Sequence, residues 1–317
     1  MLKIKLKISV LTKIIFIYST FVFVNLFTPN IARAQNVSLS ITPPIFEIII
    51  QPGKEVKQIY TIGNNGSDTH LSPRIVYFVP ADIGGNVEIT ENPAPEWIHF
   101  NKDQFEIKSG KQTNFEVNFS PPADIEETDH FLSLIFESQE ASKIIDQNTI
   151  FYNSSIGSNI LITISKDGNL NKSSEILEFN SQKFIDPIIS SLSYKIILRN
   201  NGNSFWKPNG KIMIDDNTSI KLASMNVLSG SNREIKCNEN ESLIDCKIKI
   251  EKITIGKIVS RIEYTLDEDP KIYSASTITY VFPISLIACL LIILTIFRLR
   301  GILKSTRHIW LKRRSLH

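Results

Sequence analysis

Histidine, cysteine, methionine and glycine are all scarce in this chain of 317 residues, with five His, three Cys, three Met and 13 Gly. The histidines between residues 35 and 277 are His70, His99 and His130, far apart in sequence, and no HExxH, GxSxG, phosphate-loop or Cys-His cluster occurs. The local raw material of nucleophilic, metal-assisted or phosphoryl chemistry is therefore missing, and we expect no enzyme, no cofactor and no metal site. Acid is missing from both ends. Residues 1–34 carry Lys3, Lys5, Lys7, Lys13 and Arg33, and residues 298–317 carry Arg298, Arg300, Lys304, Arg307, Lys312, Arg313 and Arg314. The middle then holds 23 cations against 32 acids, a net of −9, which excludes the basic face that nucleic acid requires. With 42% apolar and 21% charged residues, disorder is excluded as well.

What is present at the ends points to export and anchoring. A basic start, the apolar run 14–27, Pro29 and the exit Ala32-Arg33-Ala34 read as a cleavable signal peptide over residues 1–34. Near the other end, residues 278–297 form 20 residues without a charge, the length of a transmembrane helix. Seven cations follow in residues 298–317 and place that tail in the cytoplasm, with the preceding chain outside. The membrane bilayer is thus an expected partner. Leu299, Ile302, Leu303, Ile309 and Trp310 recur at helical spacing in the tail, so the tail is either an amphipathic helix on the inner leaflet or an unstructured flank.

Between Gln35 and Thr277 no amphipathic helix stands out, and short β-branched or aromatic runs alternate with Asn, Gly, Pro and Ser. Residues 115–119 (FEVNF) and 247–255 (KIKIEKITI) show the period-2 alternation of half-buried strands. Many short strands with regular turn signals predict an all-β fold of two tandem β-sandwiches, residues 35–168 and 169–277. A weak repeat supports the division: YTIGNNG at 60–66 and IILRNNG at 196–202 both end a strand in Asn-Asn-Gly. We expect Asn and Gly to turn the chain there through positive φ.

Cys237 and Cys246 are flanked by strand-like residues 233–236 and 247–250. After export they would close a short loop across a hairpin, worth about 2–3 kcal/mol, whereas in a reducing setting they stay thiols. Cys289 sits in the apolar run and reads as a small hydrophobe. The acidic triplets 215–217 and 267–269 lack the ligand order of a calcium loop and read as solvated turns. The sequons at Asn65 and Asn153 are what an Asn-rich chain produces by chance. Trp97, Trp206, Phe205 and Tyr77 fit a sandwich core, with partner anchoring as the other reading.

Several segments together resemble the bacterial WxL-interacting proteins and related membrane-anchored proteins with tandem immunoglobulin-like domains. They are Pro43-Pro44 with the strand 45–50, the turn 52–54, the strand ending at 64–66, Trp97-Ile98, the segment 105–111, the run to Pro121-Pro122, and then 198–203 with 208–215. Ser109-Gly110 and Ser229-Gly230 stand where that family often has Pro-Gly. The resemblance implies two immunoglobulin-like sandwiches followed by a transmembrane helix. The expected function is a membrane-anchored cell-surface protein whose ectodomain binds another surface protein or an envelope polymer by shape and edge-strand complementarity. An envelope chaperone or assembly factor is the alternative, and would need a groove with basic anchors, which no cluster in the sequence supplies. An accessory subunit of a membrane complex is the third reading, for which Ser285, Ala288 and Thr295 give only a hint of a packing stripe.

Overall fold

The computed structural model describes residues 38–314 apart from 139–142, 146–147, 151–154, 169, 215–217, 241 and 251–254, with backbone alone for 143–145, 148–150 and 301–314. The expected signal peptide, the acidic triplet 215–217 and the sequon at Asn153 lie outside the described residues. Among the described residues strand predominates and there is a single helix. The first half contains β1 (Leu39–Thr42), β2 (Ile45–Ile50), β3 (Val56–Asn64), β4 (Thr69–Pro80), β5 (Val87–Pro93), β6 (Ile98–Phe100), β7 (Phe105–Ile107), β8 (Lys111–Phe119), β9 (Asp129–Ser138), β10 (Lys143–Ile145), β11 (Asn148–Ile150) and β12 (Ser155–Ile164). A four-stranded sheet in the order β1-β3-β8-β6 faces a sheet in the order β2-β12-β9-β4-β5, with β7 also on β4, and β10 and β11 form a separate two-stranded hairpin. The chain changes sheets after β1: β1 pairs with β3 in one sheet, and past the cis peptide Thr42-Pro43 β2 runs parallel to β12 in the other.

The second half contains β13 (Ser174–Ser181), β14 (Phe184–Ile185), β15 (Leu192–Asn200), β16 (Pro208–Met213), β17 (Ser219–Leu222), β18 (Asn232–Glu234), β19 (Cys237–Glu239), β20 (Ser242–Ile244), β21 (Lys247–Ile248), β22 (Gly256–Leu266) and β23 (Tyr273–Val281). Its two sheets run β13-β15-β18, with β21 also on β15, and β14-β23-β22-β16-β17-β19-β20. Each half closes over its own core. In the first, Tyr60, Phe115, Phe119 and Phe136 are fully buried, with Phe115 edge-on to Phe136 at 4.9 Å. In the second, Trp206, Ile212, Ile262 and Tyr264 fill the centre. Alternation places them: residues 115, 117 and 119 of β8 point inward and their neighbours outward.

The Asn-Asn-Gly repeat survives in three dimensions by a mechanism different from the expected one. Neither Gly66 nor Gly202 is at positive φ. Instead the first Asn of each triplet is buried, and its side chain makes the turn. Asn64 Oδ1 accepts from Gly66 N at 2.8 Å and Asn200 Oδ1 accepts from Gly202 N at 2.8 Å. Asn64 Nδ2 donates to the carbonyls of Ser67 and Ile107, and Asn200 Nδ2 to those of Ser204 and Val227. The backbone carbonyls of Asn64 and Asn200 then accept from Gly110 N and Gly230 N, glycines that do occupy positive φ, at 69° and 70°. One asparagine in each half thus ties a strand end to its own turn and to one distant loop.

One sequence expectation is made more specific and one is corrected. The residues flanking the cysteines do not pair with each other, because β18 and β21 both pair with β15. The Cys237–Cys246 disulfide instead spans the hairpin of β19 and β20. The segment 278–297 is not one helix either. Ile278 to Val281 finish β23, and the helix α1 (Ile284–Arg314) begins after Pro283. The reason is alternation, since Thr279 and Val281 are buried while Ile278 and Tyr280 face outward. The uncharged part of α1, Ile284 to Phe297, spans about 21 Å at 1.5 Å per residue, against about 30 Å of hydrocarbon. Among the described residues no helix is long and apolar enough to cross a membrane. The backbone stays helical through Arg314, so the basic tail continues α1.

Replacing Asn200 by Ala removes three hydrogen bonds at a fully buried position and takes their side-chain partner from the Ser204 carbonyl and the Gly202 N–H, while Val227 O keeps the Trp206 N–H. The expected loss is about 2–4 kcal/mol in urea unfolding, with a similar loss for Asn64→Ala.

Candidate functional site

Outward-facing residues of β12 should meet water, yet Leu161 and Thr163 are 3% and 2% exposed. The second sandwich covers them. Register aligns Leu161 with Phe131 of β9 and with Glu47 of β2, so one row crosses the outer face of this sheet. Phe131 stacks on Phe78 at 6.0 Å and meets Phe205 of the second sandwich edge-on at 6.4 Å. Beside this apolar seam Asp129 is held by Thr163 Oγ1 at 2.7 Å and by the backbone N–H of Phe205 at 2.6 Å. Burial raises its carboxyl pKa, against hydrogen bonds from Thr163, Phe205 and Ser229 and the charge of Lys172.

Further along, the two sandwiches part into a cleft of about 310 Å³. Its floor is the sheet face at Ile45, Glu47, Asn159 and Leu161; one wall is the turn between β4 and β5, and the other comes from Lys207, Asn226 and Arg233. Both walls are fixed. Glu47 accepts from Lys207 Nζ and Asn226 Nδ2, each at 2.6 Å, and Glu234 N donates to Ile83 O at 2.7 Å. Gly85, at φ +90°, lies against the Arg233 guanidinium, and a Cβ there would overlap it. Burial lowers the Arg233 pKa, opposed by the carboxylates of Asp82 and Glu234. Arg233 Nε and Asn226 Oδ1 are buried without a hydrogen-bond partner, so one unused donor and one unused acceptor lie beneath the wall of the cleft.

The cleft also lies next to an open sheet edge. Among the described residues β2 bonds to β12 on one side and to no strand on the other. Its sequence IFEIII carries one charge, and Ile45 and Ile49 are each 49% exposed. A second depression, of about 420 Å³ beside β15, is lined by Lys236, Asp245 and Lys247, which pair with one another.

The residues singled out from sequence fall elsewhere. His70 and His99 are exposed on β4 and β6. His130 is half-buried, with Tyr77 Oη 3.0 Å from its Nδ1 and Trp97 edge-on at 5.3 Å. Trp206 is core, Tyr77 and Trp97 pack against core, and Phe205 belongs to the seam. Asp267 accepts from Lys207 N and Lys172 Nζ, and Asp269 closes its own turn. Among the described residues no group of three or more potential metal ligands occurs. Lys207 and Arg233, the two cations of the cleft, escaped the sequence reading as site residues: each is one basic residue with no motif around it, and only the packing of one sandwich on the other brings them to the same gap.

No family model matches the chain, and no curated protein matches it. Among solved structures it is similar to the class 5 fimbriae chaperone CfaA, at 12% identity over 76% of this chain and 99% of that one, with a TM-score of 0.41. It is also similar to the CsuC–CsuE chaperone–tip adhesion subunit pre-assembly complex of Acinetobacter baumannii, at 12% identity over 77% and 99% with a TM-score of 0.38. A third is the E. coli chaperone DraB, at 9% identity over 75% and 98% with a TM-score of 0.36.

Because the folded pKa of Asp129 is raised, the native state binds its proton more tightly than the unfolded chain. The charge therefore costs stability at neutral pH, and this cost is relieved as pH falls through the raised value. Asp129→Asn is expected to be as stable as the parent or more so at pH 7, and to lose that advantage as pH approaches the ordinary carboxylate range near ~4, read from urea midpoints across pH.

Proposed function

We propose that this protein is a membrane-held assembly factor of the cell envelope, in which two immunoglobulin-like sandwiches capture an extended segment of a client polypeptide at the cleft between them. The observation that carries the reading is the pair of unpartnered buried atoms, Arg233 Nε and Asn226 Oδ1, beneath the wall of a cleft floored by an open, apolar sheet edge. Natural sheets protect their edges with lysine, proline, bulges or covering loops. Five of the six residues of β2 are apolar and the strand bears no cation. Such an edge is a liability unless something pairs with it in use. A client strand laid on β2 gains main-chain hydrogen bonds, and alternate apolar side chains settle against Ile45 and Ile49. A carboxylate on that segment, from an acidic side chain or a chain terminus, meets the Arg233 guanidinium.

Membrane attachment belongs to the same reading. The side chains of α1 from Ile284 to Leu299 that are apolar are 40% or more exposed on every face, among them Leu286, Leu290, Leu291, Leu294 and Phe297. A helix apolar all round needs lipid or protein around it. Cys289 lies exposed on the same stretch. The expected cell-surface binding of a protein partner uses the same edge, and differs only in whether the partner is later released.

Labelled peptides of alternating apolar residues that end in a free carboxylate, titrated onto the full-length protein in detergent, test the capture step. Binding should weaken about tenfold on amidating the peptide terminus or on Arg233→Gln, as for loss of one charge-assisted bond. Ile45→Asp with Ile49→Asp should abolish it, and Ile59→Asp, on the opposite sheet, should leave it intact. Equal affinity across this series would refute the reading.

A further inference from the structure

The outward face of the sheet containing β22 and β23 changes character along its length. At the end far from α1 it shows Ser274, Ser276 and the Arg261–Glu263 ion pair; nearer α1 the same face shows Val259, Ile278 and Tyr280. Phe184 of β14 stacks on Tyr280 at 5.6 Å and is 72% exposed, and Ile189, a few residues on, is 73% exposed. These side chains ring the point where β23 passes into α1, over about 13 Å from Ile278 to Phe282 at ~3.3 Å per residue. Lys183 and Lys257 stand exposed among them, Lys257 opposite Tyr280 in register. The ring is tied to the helix: Asp186 accepts from Ser285 N at 2.6 Å and from Ile188 N at 3.0 Å, so the loop bearing Ile188 and Ile189 caps α1.

We propose that this collar is a lipid contact, so that the base of the second sandwich sits in the headgroup layer of the bilayer that holds α1. The proposal rests on the membrane attachment given above and adds to it where the protein–lipid boundary runs. Three observations name lipid as the occupant. The collar is continuous with a helix apolar on every side. The uncharged part of that helix, about 21 Å, falls short of the ~30 Å hydrocarbon layer, and the collar supplies apolar surface on the side where the shortfall lies. Its aromatic rings and lysines are the residue types that settle at the interface, apolar stems in the acyl region and polar tips at the phosphates.

The test uses full-length protein with Cys289→Ala, reconstituted in vesicles of phosphatidylcholine with a minority of phosphatidylglycerol. Single nitroxide labels are placed through Ile188→Cys, Tyr280→Cys, Ser276→Cys and Leu291→Cys, and accessibility to oxygen and to a water-soluble nickel chelate is read by power saturation. The expected result is a deep position for Leu291, an interfacial one for Ile188 and Tyr280, with an oxygen-to-nickel ratio severalfold above that of Ser276, and an aqueous one for Ser276. If Leu291 is deep while Ile188 and Tyr280 are as aqueous as Ser276, the collar proposal falls and the membrane reading stands. An aqueous Leu291 removes the membrane reading itself. Dipolar broadening at Ile188 and Tyr280 that disappears on dilution with unlabelled protein would assign the collar to a second copy of the chain and overturn the proposal.

Discussion

The geometry of the cleft depends on one constraint: the outer face of the β2-β12-β9-β4-β5 sheet is apolar along its middle row and cannot be left in water. Leu161, Phe131 and Phe78 lie side by side there, and each such side chain removed from water is worth about 1.5–3 kcal/mol. The second sandwich covers the row with Phe205 and takes the Asp129 carboxylate with it. Interfaces between domains of one chain often permit relative motion. Here an apolar seam is bracketed by polar ties, Glu47 to Lys207 and Asn226 on one side and Ile83 to Glu234 on the other. The cleft is the place where the covering stops, and its width follows from those ties.

The same packing explains why the polar content of the cleft is uneven. Lys207 is neutralised by Glu47 at 2.6 Å, which leaves Arg233 as the cation whose donors are not fully used. An open edge without basic residues, a satisfied lysine and an under-satisfied arginine within one gap suit a segment that is apolar along its length and anionic at one point. A polysaccharide, hydroxyl-rich and stacked by exposed aromatic platforms, would meet few matching groups on this floor of Ile45, Glu47, Asn159 and Leu161.

Fold class was legible in sequence because alternation is a local signal: β8 could be read from residues 115–119 without knowing its neighbours. The Asn-Asn-Gly repeat marked equivalent strand ends, but the agent of the turn, a buried asparagine side chain reaching one far loop, depends on contacts that local reading does not supply. The boundary between β23 and α1 was hidden for a related reason. Ile278, Thr279, Tyr280 and Val281 are all uncharged, so a strand with one face buried and the other apolar merges in sequence with the helix that follows. The cleft was not legible at all. Glu47, Arg233 and Asn226 sit in three separate stretches of chain, and the features that single them out, a salt bridge and two unpaired atoms, exist only once the two sandwiches meet.

The direct passage of β23 into α1 gives the molecule a mechanical character. β23 pairs along nine residues with β22 and is clasped on its other side by β14. A pull directed along β23 is therefore borne as shear by many hydrogen bonds at once, rather than unzipping them one by one.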